Sequence, residues 1–222
     1  MNYIGKRLVS AVFLILIVSF LSFVVLIFLP GDPVKLMLGT EAPPHVAEEL
    51  SRQYGFDRPW YEQYGDWFFS FIQGDLGESF LYKQPVSEII AKRLPMTLSL
   101  TLLSIIMAVI IAVPVGVFAA AKKGSLWDSL IQAFVQIGIA VPNFWVGIMF
   151  ILLFAVMFPL FPPGGYVPLS EGLFAHLKTL FLPALTLALA EAVVLIRMIR
   201  ASLLEVLEKD YMTFSLTKRI IR

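Results

Sequence analysis

Between Leu8 and Gly31 the chain carries no charged residue, and between Arg93 and Lys122 it carries none for 28 positions. Uncharged apolar runs of this length constrain the fold more than any other feature. In hydrocarbon every backbone N–H and C=O must find an internal partner, so a single run of this kind can cross only as a helix. Leu8–Pro30 is 23 residues, roughly 35 Å as a helix at about 1.5 Å per residue, which spans a bilayer core. The basic start at Lys6 and Arg7 is also that of a secretory signal, but such signals have an apolar core of only about 7–15 residues and a small-residue cleavage site. Phe28-Leu29-Pro30-Gly31-Asp32 offers no such site. The expectation is a retained transmembrane helix.

Three further spans follow by the same reasoning, at about 96–121, 130–158 and 179–199. In the second, Ala108, Ala112, Gly116 and Ala120 recur every four positions, a small-residue stripe that lets another helix approach closely. Pro114 is expected to kink it. The third contains Gly138 and Pro142, and the fourth carries a second small stripe, Ala184, Ala188 and Ala192. A Pro/Gly-rich external loop, Pro159–Leu177, separates them. The fold class expected is therefore an all-α membrane protein with about four transmembrane helices in one domain over 1–222. The composition agrees: 59% hydrophobic and 15% charged, with mean hydropathy +0.84. Soluble domains run near a quarter charged.

Composition and motifs also exclude classes. A net charge of +1 without a basic stripe gives no reason to expect nucleic acid. The chain has no cysteine, and His45 and His176 lie far apart, so no metal or other cofactor is expected. No G-x-x-x-x-G-K-[ST] loop and no Ser/His/Asp set stands out, so the chain is not expected to be an enzyme.

After the first span, residues 31–93 form a 63-residue block with ten acidic and six basic residues, read as a periplasmic helical insertion. Asp32 and Pro33 suit a helix start. Helices are expected over about Pro43–Tyr54, closed by Gly55, and about Pro59–Ile72, closed by Gly74. In the second, Trp60, Tyr61, Tyr64, Trp67, Phe68 and Phe71 form either a ligand-stacking surface or, the reading preferred here, an aromatic belt at the membrane interface.

Orientation follows from the short loops. Lys6/Arg7, Lys122/Lys123 and Arg197/Arg200 fall on one side of a four-span protein, so that side is cytoplasmic and both termini lie there. Within the spans, Asn143 either lines a pathway or bonds a neighbouring helix. Glu191, an ionisable residue inside a span, either faces the bundle interior or water, or pairs with an arginine near the cytoplasmic end. Beyond Arg200 the segment 200–222 turns amphipathic, with Leu203, Leu204, Leu207, Tyr211 and Phe214 on one stripe. It is either a helix skimming lipid or one docked on an intracellular partner.

The residues themselves favour docking. R-x-x-R-x-S-L-L-E-V-L-x-x-D-Y over 197–211 resembles the approach to the cytoplasmic coupling loop of ABC-importer permeases of the dipeptide/oligopeptide/nickel type. P-G-D-P at 30–33, G-x-D-R-P at 55–59, Q-Y at 63–64, G-D-L-G-x-S at 74–79, R-L-P-x-T-L at 93–98 and P-N-F-W at 142–145 recur in that family in the same order. The resemblance implies an inner-membrane permease with a second homologous permease subunit, two ATP-binding subunits that hydrolyse ATP, and a periplasmic substrate-binding protein as partners. Its substrates would be dipeptides, oligopeptides, glutathione or nickel complexes, with peptide the first expectation. It implies ATPase coupling through Leu203, Leu204, Glu205, Leu207, Asp210 and Tyr211, and a translocation path touching Asn143 and Glu191. The family has six spans and an Ala-Arg-Ala-Lys-Gly segment where this chain has Ser215–Arg219. A truncated or frameshifted permease without transport is therefore the alternative expectation, and a secondary transporter a more distant one.

Overall fold

The computed structural model describes the backbone of residues 3–28, 34, 38, 43–79 and 81–220, and the side chains of these except 26, 28 and 208–220. The chain divides into two compact units, Met1–Arg93 and Leu94–Arg222.

In the first unit α1, Tyr3–Phe28, is a single apolar helix. Its outward residues, Val12, Phe13, Leu14 and Ile15 among them, are exposed all round, as suits a helix whose solvent is lipid. Helix α2, Pro44–Gln53, and helix α3, Trp60–Ile72, follow, each starting after a proline in an extended conformation. Gly55 at φ +70° and Gly74 at φ +87° take the left-handed turns after them, which a Cβ would strain. The aromatics of α3 pack on α1. Tyr64 meets Phe20 and Phe23 edge-on at 5.4 and 5.3 Å, and its hydroxyl lies 3.0 Å from Ser19 Oγ. A two-residue hairpin, β1 Glu78–Ser79 with β2 Gln84–Pro85, leads into the next helix.

Helix α4, Val86–Ala121, begins in the first unit and runs on as the leading helix of the second. Helix α5, Leu126–Ala140, and helix α6, Asn143–Ile151, come next, and α6 continues as a π-helical stretch, Leu152–Met157. A 3-10 turn, Leu169–Glu171, precedes α7, Leu173–Ile220, one continuous helix of 48 residues. Helices α1, α4 and α7 are each long and apolar enough to cross a membrane. The segment read from sequence as the third span is instead two helices bent by 96°, a fourth crossing if taken together. The break has a local cause. Pro142 offers no N–H and forces Val141 out of the helical region, to φ −83°, ψ 127°, before the helix restarts.

The core of the second unit is built on small residues. Ala108 and Ala112 of α4, Val135 of α5, and Ala188, Ala192 and Ile196 of α7 form one buried cluster. Both alanine stripes are thus interior and serve each other. Without a hydrophobic force between helices in lipid, close approach and dispersion hold such a core. The approach is tight: a Cβ on Gly116 would lie 2.9 Å from Ile199 Cγ2, and one on Gly138 would lie 2.6 Å from Val193 Cγ1. Helix α7 is the rod against which α4, α5 and α6 are laid.

Candidate functional site

One end of the second unit is organised by a capping arrangement. Ser125 is the N-cap of α5, and its Oγ accepts from the N–H of Asp128 at 3.3 Å. The Asp128 carboxylate reaches back to the N–H of Gly124 at 3.0 Å. The first bond satisfies a donor left over at the start of the helix, and the second ties the residue ahead of the cap to the same turn. The same carboxylate takes a fork from Arg200 on α7, Nε to Oδ1 and Nη2 to Oδ2, both at 2.7 Å. Asp128 is only 5% exposed. It stands just ahead of the uncharged run that begins at Ser129, and so ahead of the span read from sequence at about 130–158. The Arg200 guanidinium first, and the Gly124 N–H second, hold its carboxyl at about 2 against the opposing effect of burial. Lys122–Ser125 and the exit of α7 are thereby fixed at one end of the unit.

Past Arg200, helix α7 continues without a break. Leu203 and Leu204 are half-buried, whereas Glu205, Val206 and Leu207 are exposed. The side chains of Asp210 and Tyr211 lie outside the described residues. The stripe read from sequence is therefore split, part against the unit and part presented outward.

Toward the other end, the helix break opens a crevice of about 430 Å³ lined by Asn143, Phe144, Gly147, Pro183, Thr186 and Leu187, with the 162–165 loop across it. Asn143 is exposed there. Thr186 is occupied, its hydroxyl donating to Leu182 O at 2.8 Å. The loop is moored to α7 by His176, whose Nδ1 lies 2.7 Å from Val167 O. A carbonyl only accepts, so Nδ1 carries the proton. Glu191 is exposed on α7 beside buried Ala192, and among the described residues it pairs with neither Arg197 nor Arg200. Asn143 and Glu191 are thus both accessible, but the crevice includes only the former. Among the described residues no group of three His, Asp or Glu side chains could hold a metal.

Residues 112–220 match the model of the binding-protein-dependent transport system inner membrane component, and residues 1–101 match that of its N-terminal portion. The chain belongs to this permease family. It is 39% identical over 215 residues to a Brucella abortus (strain 2308) protein assigned to a peptide transport system as its permease, covering 97% of this chain and 68% of that one. It is 38% identical to an oligopeptide transport system permease of Bacillus subtilis (strain 168), covering 94% and 67%. It is 36% identical to a glutathione transport system permease of Escherichia coli (strain K12), covering 99% and 69%. The permease is accordingly a multi-pass membrane component of an ABC transport system and not itself its catalyst; family members work with ATPase and substrate-binding partners.

Sequence reasoning missed the Asp128–Arg200 fork. Ser125-x-x-Asp128 is a legible helix-start pattern, and it could have placed Asp128 on a cap. Nothing in it points to an arginine 72 positions away.

Proposed function

We propose that this permease forms one wall of a peptide importer's translocation path and carries the force of ATP hydrolysis through α7. The observation that supports this best is the continuity of α7: one rigid helix runs from the buried Ala184–Ala192 stripe, past Arg197 and Arg200, to the outward-facing Leu207. A push on its end is delivered to the packed core, because helices in contact over small residues move as bodies rather than deform. Leu203, Leu204, Glu205 and Leu207, with Asp210 and Tyr211, make up the face that docks an ATP-binding subunit. Two such subunits, a second homologous permease and a periplasmic binding protein complete the assembly. The basic groups at Lys6/Arg7, Lys122/Lys123 and Arg197/Arg200 put that end, and both termini, in the cytoplasm. Asn143 and Glu191 face the path: an exposed carboxylate on a spanning helix is tolerated against water or a partner, not against lipid. Peptide is the substrate class because the chain is 39% and 38% identical to permeases of a peptide and an oligopeptide transport system.

The test is copurification. Tagged permease expressed with its cognate ATP-binding subunits should retain them in mild detergent, and Leu203→Asp with Leu207→Asp should release them while the permease still inserts. Retention undiminished by the double substitution would remove the coupling role from this face.

A further inference from the structure

The fork between Asp128 and Arg200 has a neighbour that it leaves unused. Gln132 lies one turn along α5 from Asp128, and residues four apart on a helix share a face. Its Nε2 is buried and has no hydrogen-bond partner, the one such side-chain atom among the described residues. A buried amide hydrogen without an acceptor is costly, and a native structure that keeps one calls for a reason. Its surroundings supply one. The Asp128 carboxylate already holds three donors in this arrangement: Oδ1 takes Arg200 Nε, while Oδ2 takes Arg200 Nη2 and the Gly124 N–H. Gln132 is the weakest of the groups that favour the charged form of that carboxylate, behind Arg200 and the Gly124 N–H. If Arg200 withdraws with α7, the carboxylate stays tied to Gly124 and needs a donor, and Gln132 is the donor in waiting.

We infer that Asp128 is a two-position latch, held by Arg200 in the arrangement seen here and by Gln132 when α7 shifts against α5. The exchange lets the exit of α7 move without stranding a buried carboxylate, which is what a helix used as a lever requires. Arg200 and Gln132 are positioning residues, acting through Asp128. The use of the latch in transport rests on the reading of α7 given above; the latch itself does not.

Four chains decide it: the unaltered permease, Gln132→Leu, Arg200→Met and the double variant, each unfolded by heat in one detergent. In the unaltered background Gln132→Leu replaces an orphan amide with an apolar group of similar size and should raise Tm by about 2–4 °C. In the Arg200→Met background the same substitution takes away the carboxylate's remaining side-chain donor, leaving it only the Gly124 N–H, and should lower Tm by a similar amount. An effect of one sign in both backgrounds overturns the latch, because a merely structural fork predicts no reversal. Should Arg200→Met fail to fold, Arg200→Lys loosens the fork while keeping the charge, and the gain from Gln132→Leu must then shrink; an unchanged gain overturns the proposal. In the assembled complex, Gln132→Leu should cut substrate-stimulated ATP hydrolysis at least about 5-fold relative to the basal rate. Unchanged stimulation removes the latch from coupling. A complex whose unaltered form shows no stimulation refutes the transport reading, and the sign of the stability cycle still decides the latch.

Discussion

Substituting Gly116 by alanine adds a single methyl group where α4 closely approaches α7. The new Cβ would sit 2.9 Å from Ile199 Cγ2, 3.0 Å from Ile199 Cβ and 3.3 Å from the carbonyl oxygen of Ile196. Rotating Ile199 can move its Cγ2 but neither its Cβ nor the carbonyl, so the helices themselves must part. An ordinary carbon–carbon contact is about 3.5–4.0 Å, which asks for roughly half an ångström or more. A gap of that order forfeits a quarter or more of each dispersion contact along the Ala108–Ala112 seam, and overpacking of this kind costs about 1–3 kcal/mol. Alanine's better helix propensity returns up to about 1 kcal/mol. The net is a loss of about 1–2 kcal/mol, or a Tm lowered by about 3–6 °C for a chain of this size. Gly147 is the control: a Cβ there meets only the Thr186 side chain, Cγ2 at 3.4 Å and Oγ1 at 3.7 Å, so Gly147→Ala should be neutral or slightly stabilising. The assay is thermal unfolding in detergent followed by tryptophan fluorescence. A Gly116→Ala protein as stable as Gly147→Ala would refute the account of the core as a seam set by close approach.

Gly138→Ala should also lower Tm, because its Cβ would fall 2.6 Å from Val193 Cγ1, and a valine in a helix is nearly fixed at χ1. Here only a side chain is in the way, so adding Val193→Ala should recover most of the loss; no recovery in the double variant would mean that the backbones collide. The Asp128 pair carries a pH signature. Its folded pKa is lowered to about 2 from the ordinary 3.8 of an aspartate, so its stabilisation is present above about pH 4 and disappears as the pH falls toward 2. The Tm difference between the unaltered permease and Asp128→Asn should therefore be constant at neutral pH and close over that acid window. A difference that persisted at pH 2 would show that the ion pair is not its source.

Much of the architecture was legible because it follows from short-range chemistry. Uncharged runs mark α1 and α4 as spans, since no charge can be left in hydrocarbon unpaired. The spacing of Ala108, Ala112 and Gly116, and of Ala184, Ala188 and Ala192, marks which faces are interior, because only residues without bulk admit a neighbouring backbone. Glycines at 55 and 74 mark the ends of α2 and α3. Pro142 was visible as a proline inside a span, but the 96° turn it permits was not. Proline removes a hydrogen bond and a conformation; the angle taken up depends on what α5 and α6 pack against, here α7.

The candidate site divides along the same line. The amphipathic stripe after Arg200 and its family pattern could be read residue by residue, whereas for Asn143 and Glu191 the sequence left open whether each is exposed or paired. What those residues touch could not be read. By itself the sequence determined the all-helical membrane class, the interior faces and the permease family, because periodicity and charge act within a few residues along the chain. The tertiary structure alone decided that Asp128 meets Arg200 across 72 positions, that Gln132 is left without a partner beside them, and that α7 continues unbroken past the core. Such contacts depend on the relative placement of whole helices, and a local pattern carries no record of that placement.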